Sequence, residues 1–257
     1  MDITWYGTAN LKVQNDDTAI HFDPYLSGST ETKKCSEWSC NLAKNIFITH
    51  GHFDHLMDVP ELIRDGDFIV NCSEAAARSL LRDSVVSSKI RVVHAGDRVK
   101  AGSMEVNVLP CRHSKAEVKL FLKTFLSPRV VQQPLEVLRL LRQHRSYPCG
   151  EVYAYHIISE GSDILHIGSM DIEDSISYPR NVDLLMLPFQ GCLDLDGRAL
   201  KIINRILPKA VLLHHFDDSF PPVSRNIDTE SFVSMMKNRF PHVGVYVPEN
   251  GRTLTIG

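Results

Sequence analysis

The chain lacks long hydrophobic runs. No uninterrupted apolar stretch in its 257 residues approaches the roughly 20 residues that a membrane-spanning helix needs. Its net charge is also small, −3 at pH 7, so no overall attraction to nucleic acid or to anionic membranes is expected. The first four residues carry neither the basic nor the apolar segment of a secretion signal. We therefore expect a cytoplasmic protein without a membrane span, and nucleic acid is disfavoured as a partner.

Cysteine is too sparse to indicate a disulfide framework. Six cysteines are spread over a chain whose length and 43% hydrophobic content allow a core without covalent cross-links. Cys35 and Cys40 have the spacing of half a metal-binding hook, but no second pair of cysteine or histidine residues matches them. Free thiols in a reducing compartment are expected, in one α/β domain that covers residues 1–257.

Histidine, in contrast, is abundant and clustered. The chain has twelve histidines, and three of them lie beside a carboxylate in residues 49–55, THGHFDH. Neutral imidazole nitrogen and carboxylate oxygen are ligands that zinc and neighbouring first-row metals accept. A solvated polar loop would explain the segment less well, because three unpaired histidines beside an acid have no folding role there. This heptapeptide predicts a metal site.

The residues around the heptapeptide predict a loop between two regular elements. Residues 45–49 form a short apolar run typical of a buried strand, and Asp58 with Pro60 is typical of a helix start. Gly51 allows a sharp turn after the strand. The candidate ligands would then be held by rigid elements on both sides.

Within the heptapeptide, the alternation of side chains divides the ligands into two groups. His50 and His52 can converge on one metal ion, while Asp54 and His55 turn toward a second. Four ligands on one loop cannot complete two sites, so the remaining ligands must come from distant parts of the chain.

The wider hydrophobic pattern predicts a mixed α/β protein with similar content in its two halves. The predicted strands are 3–6, 10–14, 18–22, 46–49, 68–71, 90–93, 104–109, 152–158, 163–167, 183–187, 210–213 and 243–247. The predicted helices outside the middle segment are 58–64, 73–82, 198–206 and 228–239.

The pattern His-x-His-x-Asp-His after an apolar strand resembles the signature of the metallo-β-lactamase-fold superfamily of metal-dependent hydrolases. Residues 3–11 (ITWYGTANL) and 19–26 (AIHFDPYL) resemble the subgroup that contains ascorbate-6-phosphate lactonase and the N-acyl-phosphatidylethanolamine phospholipases. Thr8 stands where that subgroup usually has histidine, so the role of that histidine does not transfer. The resemblance implies a four-layer αββα sandwich with two divalent metal ions.

The same resemblance implies where the remaining ligands lie. His113 follows an apolar strand at the point where the superfamily places the third ligand of the first metal. The stretch 168–171, GSMD, resembles the place of a carboxylate that bridges both metals, although the usual form is Gly-Asp directly. Asp171 is therefore the expected bridge, with Asp174 as a distant alternative. The expected ligand set is His50, His52, Asp54, His55, His113, Asp171 and His215.

The last ligand is ambiguous because two histidines end the apolar run 210–213. Side chains alternate along a strand, so only one of His214 and His215 can point directly into the site. The His-aromatic pattern of the superfamily favours His215, with Phe216 as the aromatic residue. His214 would then contact a ligand or the substrate.

Other polar residues are expected around the metals rather than on them. Asp23 is a candidate for a hydrogen bond to a ligand histidine, as the resemblance implies. His21 and His214 are candidate proton donors to a leaving group, and Arg112 and Lys115 are candidate substrate contacts. The remaining histidines are expected at the surface (94, 144 and 242) or within the sheets (156 and 166).

Residues 115–150 interrupt the strand–helix pattern. They contain amphipathic segments at 115–122 and 134–142 and four arginines, so a helical insertion is expected. Two interpretations stay open for its basic face. It supplies cations for an anionic substrate or a contact between copies of the chain, or it is an ordinary solvated helix face.

Together these features predict a metal-dependent hydrolase. The resemblance implies that a hydroxide bridging the two metals attacks the substrate, with Asp54 and Asp171 as catalytic residues. Zinc is the first expectation, with manganese or iron as alternatives, and the expected substrate is a small anion with a lactone or phosphoester bond. The alternative is a non-hydrolytic metalloprotein, either a di-iron redox module or a degenerate metal-binding scaffold.

Overall fold

Two seven-stranded sheets form the centre of the fold in the computed structural model, which describes residues 1–27, 42–114, 118–159 and 161–256. The first sheet contains β1 (Asp2–Trp5), β2 (Leu11–Gln14), β3 (Ala19–Phe22), β4 (Asn45–Phe47), β5 (Ile69–Cys72), β6 (Ile90–Val92) and β14 (Thr253–Thr255). The second contains β7 (Arg98–Ala101), β8 (Met104–Cys111), β9 (Val152–Ser159), β10 (Ser162–Ile167), β11 (Leu184–Pro188), β12 (Ala210–His214) and β13 (Gly244–Tyr246).

Helices connect these strands and cover the sheets. Five lie outside the middle segment: α1 (Phe53–Leu56), α2 (Val59–Leu62), α3 (Glu74–Arg82), α7 (Leu195–Ile206) and α8 (Glu230–Arg239). Three lie in the middle segment: α4 (Val118–Phe125), α5 (Pro128–Val131) and α6 (Pro134–Ser146). A 3₁₀ turn at Ser87–Lys89 precedes β6. Ser73 caps α3, since its side-chain oxygen accepts a hydrogen bond from the Ala76 amide.

The strand order and directions bring the carboxyl ends of several strands to the same end of the two sheets. The first sheet runs β14-β1-β2-β3-β4-β5-β6, and β3 to β6 are parallel. The second runs β13-β12-β11-β10-β9-β8-β7, and β10 to β13 are parallel. Because β9 is antiparallel to both β8 and β10, the carboxyl ends of β8, β10 and β12 lie on one side. The segments that carry the candidate ligands follow β4, β8, β10 and β12.

Alternation along the buried strands separates the core into layers. In β12, Leu212 packs into the core between the two sheets, while Leu213 packs into the core beneath α7 and α8. In β4, Phe47 faces the other sheet and Ile46 faces α3. Period-two alternation with both faces apolar is what a sheet needs when it is covered on both sides. Sheet packs on sheet, and helices cover the two outer faces.

The predicted mixed α/β fold with two sheets and outer helices is confirmed, and α4, α5 and α6 lie within the predicted insertion at 115–150. The pattern did not predict β7 or β14. In β7 two charged side chains alternate with two small apolar ones, and β14 is a three-residue edge strand with an intermediate central residue and exposed flanks. Among the described helices, none is long and apolar enough to span a bilayer.

Candidate metal centre

The histidine loop begins where β4 ends and continues into α1. His52 has an extended backbone, with φ −62° and ψ 153°, and α1 begins at the next residue. Asp54 and His55 lie in this short helix and are buried. The change from extended to helical backbone separates the side chains of His50 and His52 from those of Asp54 and His55. This local structure separates the candidate ligands into two groups, and their role as metal ligands stays a prediction.

The first group of donors is formed by three imidazoles and a thiol. One potential ligand atom from each of His50, His52, His113 and Cys149 lies within 4.8 Å of the others. His50 Nε2 is 3.1 Å from His52 Nδ1. His113 comes from the segment after β8, and its ring centroid lies 5.2 Å from that of His50 and 4.8 Å from that of His52.

The second group combines a carboxylate with two imidazoles. Ligand atoms of Asp54, His55 and His215 lie within 4.8 Å of one another. Asp54 Oδ2 is 3.2 Å from His215 Nε2 and 3.7 Å from His55 Nε2. The ring centroids of His50 and His55 are 4.0 Å apart, so the two groups of donors adjoin each other.

Outer hydrogen bonds fix the orientation of the ligand rings. Asp23 Oδ2 lies 2.9 Å from His55 Nδ1 and also accepts a hydrogen bond from the Thr49 hydroxyl at 2.7 Å. His50 Nδ1 is 3.0 Å from the same hydroxyl, and its Nε2 faces His52 Nδ1 within the first donor group. His113 Nδ1 donates to the Ser114 carbonyl at 2.9 Å. In each case the engaged Nδ1 leaves Nε2 as the atom that can bind a metal.

Burial and neighbouring charges give most of these groups the protonation states that metal binding needs. Burial lowers the pKa of His50 well below its ordinary value and that of His52 to about 3, so both rings are neutral at pH 7. Burial opposes ionisation of Asp54, but His55 and His215 outweigh it and hold its pKa below the ordinary range. At His55, burial is outweighed by Asp23 and Asp54, which raise its pKa.

The two donor groups therefore fit divalent transition metals. Neutral imidazoles with exposed lone pairs, a carboxylate held ionised and fixed ring orientations are the chemistry that zinc, manganese and iron accept. A metal ion that binds a protonated His55 would displace the proton from its ring. The fit rests on how the donors converge.

Asp171 lies in a different environment from the one expected of a bridging ligand. Its carboxylate is 3.6 Å from Arg198 and 3.9 Å from Arg112, and it also accepts a hydrogen bond from the Ile172 amide. Among the described residues it belongs to neither donor group. Ser169, directly after Gly168, lies against the segment that carries His113, because its hydroxyl accepts a hydrogen bond from the Ser114 amide at 3.1 Å. The bridging role of Asp171 stays a prediction without support from these contacts.

Three other residues that were predicted to contact a ligand or the substrate lie outside the two donor groups. His21 is fully buried against Asn10, with Nε2 2.7 Å from its side-chain oxygen. His214 is buried beside His166, with ring centroids 5.2 Å apart, and burial holds its pKa well below the ordinary value. Arg112 forms an ion pair of 2.6 Å with Glu173. The structure does not bring these three side chains into the donor groups; Lys115, also predicted, lies outside the described residues, as do Cys35 and Cys40.

His215 is positioned by the N-terminal turn of the chain. It adopts φ +57° directly after β12, and its amide donates to the Thr8 carbonyl at 2.8 Å. The indole of Trp5 donates to the same carbonyl and stacks on Phe216, with ring centroids 4.8 Å apart. Asp217 accepts the Thr8 amide. Thr8 thus supports the site through its backbone, in the place where the subgroup has a histidine.

Two residues near the metal centre were not predicted there. Cys149 joins the first donor group from the loop after α6, and His144 on α6 has its ring centroid 5.0 Å from that of His52. The sequence pattern put His144 at the surface, and its side chain is indeed exposed. What the pattern could not show is that α6 packs back against α1, which brings the helix over the histidine loop.

Two facing sheets, outer helices and histidine–aspartate groups at one sheet edge define the metallo-β-lactamase fold. A sequence profile described as "Beta-lactamase superfamily domain" matches residues 2–215. The chain belongs to this superfamily.

Curated relatives and a solved structure give the same picture. A UPF0173 metal-dependent hydrolase of Carboxydothermus hydrogenoformans is 25% identical over 88% of this chain and 89% of its own length. Another, from Methanopyrus kandleri, is 24% identical over 98% of this chain and 99% of its own. The structure of Igni18, a metallo hydrolase of Ignicoccus hospitalis, aligns with a TM-score of 0.69 at 20% identity, covering 100% of this chain and 98% of its own. That structural likeness shows a shared fold.

Proposed function

We propose that the chain is a metal-dependent hydrolase that holds two divalent metal ions. The observation that carries this proposal is the convergence of two adjoining donor groups from separate segments, His50, His52 and His113 beside Asp54, His55 and His215. The names of the curated relatives, metal-dependent hydrolases, agree with it. Structural relatives of low identity contribute only the fold.

The residues divide into those that hold metal and those that hold the ligands in place. A bound divalent ion supplies Lewis acidity, which makes a water more acidic and polarises the bond to be cleaved. Asp54 contributes a fixed negative charge beside His215, and Asp23 with Thr49 keeps the ring of His55 from rotating. This pre-set orientation reduces the reorganisation needed when substrate binds.

One side of the centre is open to solvent. His52 and His113 are partly exposed, whereas His50, Asp54 and His55 are buried. The substrate therefore approaches over His52 and His113, below the end of α6, where the exposed His144 lies. His144 is within reach to contact a substrate or to donate a proton to a leaving group.

The proposed substrate is a small anion with a lactone or phosphoester-type bond. Both bonds present an oxygen that a metal can polarise, and both release a group that needs a proton. The anionic character is supported by the positive charge of α6, which carries the exposed Arg142 and Arg145 on either side of His144 in the sequence. Arg112 does not add to this support because Glu173 already pairs with it.

The test is hydrolysis of a panel of lactones and phosphodiesters by protein purified without chelator. We expect turnover that chelator abolishes and that zinc, manganese or iron restores. His52→Ala and Asp54→Asn should each abolish turnover, whereas His94→Ala, which removes an exposed histidine from another region, should leave it unchanged.

Turnover that survives both chelator and the two site variants would contradict the proposal. Full metal binding with no turnover on any member of the panel would instead favour a non-hydrolytic metalloprotein.

A further inference from the structure

The first donor group contains a thiol that the proposed hydrolase does not require. The Cys149 sulfur lies within 4.8 Å of a ring nitrogen of each of His50, His52 and His113. It is a free thiol on a half-buried residue. Three imidazoles and one thiolate make four protein donors, which is the number that closes a tetrahedral zinc site.

The main chain around Cys149 is packed directly on the histidine loop. The Gly51 amide donates to the Cys149 carbonyl at 2.8 Å. A Cβ atom on Gly51 would lie 2.3 Å from the Pro148 carbonyl oxygen and 3.1 Å from that of Cys149. On the other side, Gly150 has φ +65° and approaches Ala75 so closely that a Cβ atom would lie 2.2 Å from its side chain. The main chain that carries the thiol is therefore held beside the first donor group by contacts on both sides.

The Cys149 thiol could supply a negative charge that the first donor group otherwise lacks. The second donor group has an anionic ligand in Asp54, whereas the first has three neutral rings and, among the described residues, no carboxylate. Asp171, the expected source of a shared negative charge, is instead paired with Arg112 and Arg198. A thiolate at Cys149 would give the first metal one anionic ligand, matching the second.

We infer that Cys149 is the fourth protein ligand of the metal ion bound by His50, His52 and His113. This inference rests on the proposed metal binding, and it gives the two metal positions different roles. The first position has four protein ligands and is closed, while the second, with Asp54, His55 and His215, has three and keeps a place for water or substrate. On binding, the Cys149 sulfur–hydrogen bond is replaced by a sulfur–metal bond and one proton passes to solvent.

Cobalt(II) tests the inference, because thiolate ligation gives a near-ultraviolet charge-transfer band that imidazole and carboxylate do not give. We expect the band to develop as wild-type protein is titrated with cobalt. Cys149→Ser should abolish the band while the second position still binds cobalt. The matched control is Cys111→Ser, because Cys111 is buried nearby and its sulfur donates to the Asp171 carbonyl at 3.1 Å. That variant should keep the full band.

A second measurement on the wild-type protein avoids any effect of the substitution on folding. The Cys149 thiol is treated with iodoacetamide in metal-free and in zinc-loaded protein, and the modified peptide is quantified by mass spectrometry. We expect modification of the metal-free form and at least a tenfold reduction when zinc is bound. Equal modification of both forms would overturn the inference.

The outcomes separate this inference from the proposed hydrolase. Cobalt binding and chelator-sensitive turnover without the charge-transfer band would overturn the role of Cys149 and leave the hydrolase intact. A band that persists in Cys149→Ser would also overturn it. Failure of the wild-type protein to bind cobalt at either position would overturn both.

Discussion

Asp23→Asn tests how the second metal position depends on a residue that does not itself belong to either donor group. The Asp23 carboxylate lies 2.9 Å from His55 Nδ1 and accepts hydrogen bonds from the Thr49 amide at 2.8 Å and hydroxyl at 2.7 Å. Asparagine has nearly the same shape but no charge, and its NH₂ group cannot accept these hydrogen bonds. The variant should leave His55 less well oriented and less basic.

The expected size of the effect follows from the kind of contact. Loss of a carboxylate that supports a ligand histidine typically weakens metal binding about 10–100-fold, or roughly 1.4–2.7 kcal/mol. The loss should fall on the position formed by Asp54, His55 and His215. His52 and His113 have no described hydrogen bond to Asp23, and His50 is linked to it only through the Thr49 hydroxyl, so the other position should lose less affinity.

The assay is competition of zinc against a chromophoric chelator, fitted for the two positions separately. The matched control is Asp163→Asn, which removes a carboxylate 2.7 Å from His156 Nε2 in another region. Thermal unfolding of both metal-free variants shows whether they are folded. Unchanged zinc affinity in Asp23→Asn, or an equal loss in Asp163→Asn, would show that Asp23 does not support metal binding at His55.

Three further predictions concern the stability of the metal-free protein, each measured by urea unfolding. Gly51→Ala should lower the free energy of unfolding by about 1–3 kcal/mol, because its Cβ atom would lie 2.3 Å from the Pro148 carbonyl oxygen. Tyr155→Phe should cost about 1–3 kcal/mol, since the buried hydroxyl donates to the Ile48 carbonyl at 2.7 Å and the substitution leaves that oxygen without this donor. Burial, with a smaller effect of a nearby lysine, lowers the pKa of His21 to about 3, so the unfolded chain takes up its proton first as pH falls. The stability that neutral His21 allows is fully present above pH 6.5 and is lost as the pH falls toward 3. At pH 5 this residue should lower the free energy of unfolding by about 2 kcal/mol, and His21→Gln should reduce that loss.

Each of these predictions has an outcome that contradicts it. Wild-type stability of Gly51→Ala would mean that residues 148–150 do not pack closely against Gly51 in the histidine loop. Tyr155→Phe should cost clearly more than Tyr246→Phe, which alters a side chain that is 39% exposed, and equal costs would count against the buried hydrogen bond. His21→Gln and wild-type protein that lose the same stability between pH 7 and pH 5 would show that His21 is not held neutral by the fold.

The sequence carried much of the fold because its strands are short, apolar and well separated. Residues such as those of β11 and β12 are buried on both faces and read as continuous apolar runs. The exposed edge strand β14 has no such run, since its stability comes from pairing with β1 rather than from burial. Pairing with a distant strand leaves no local signal in the sequence.

The candidate site divides in the same way. His50, His52, Asp54 and His55 lie in one short segment, so their grouping followed from local spacing. Strand alternation allowed only one of His214 and His215 to point into the site, and the resemblance to the superfamily favoured His215. Cys149 could not be found in this way, because its place depends on the return of α6 and on the contact with Gly51.

For Asp171, the local motif was informative about the residue type but not about the surroundings of its side chain. Its motif resembled the family pattern, yet two extra residues carry its carboxylate to Arg112 and Arg198. A local pattern fixes the residue type, whereas the direction of a side chain depends on the partners that the fold supplies.

Anomalous diffraction from crystals grown with zinc tests the proposed two-metal centre, because it counts and locates the metals together. We expect two peaks. One should lie within bonding distance of His50 Nε2 and His52 Nδ1, and the other should lie between Asp54 and His215. No peak among these residues, or a single peak coordinated by Asp171, would contradict the proposed two-metal centre.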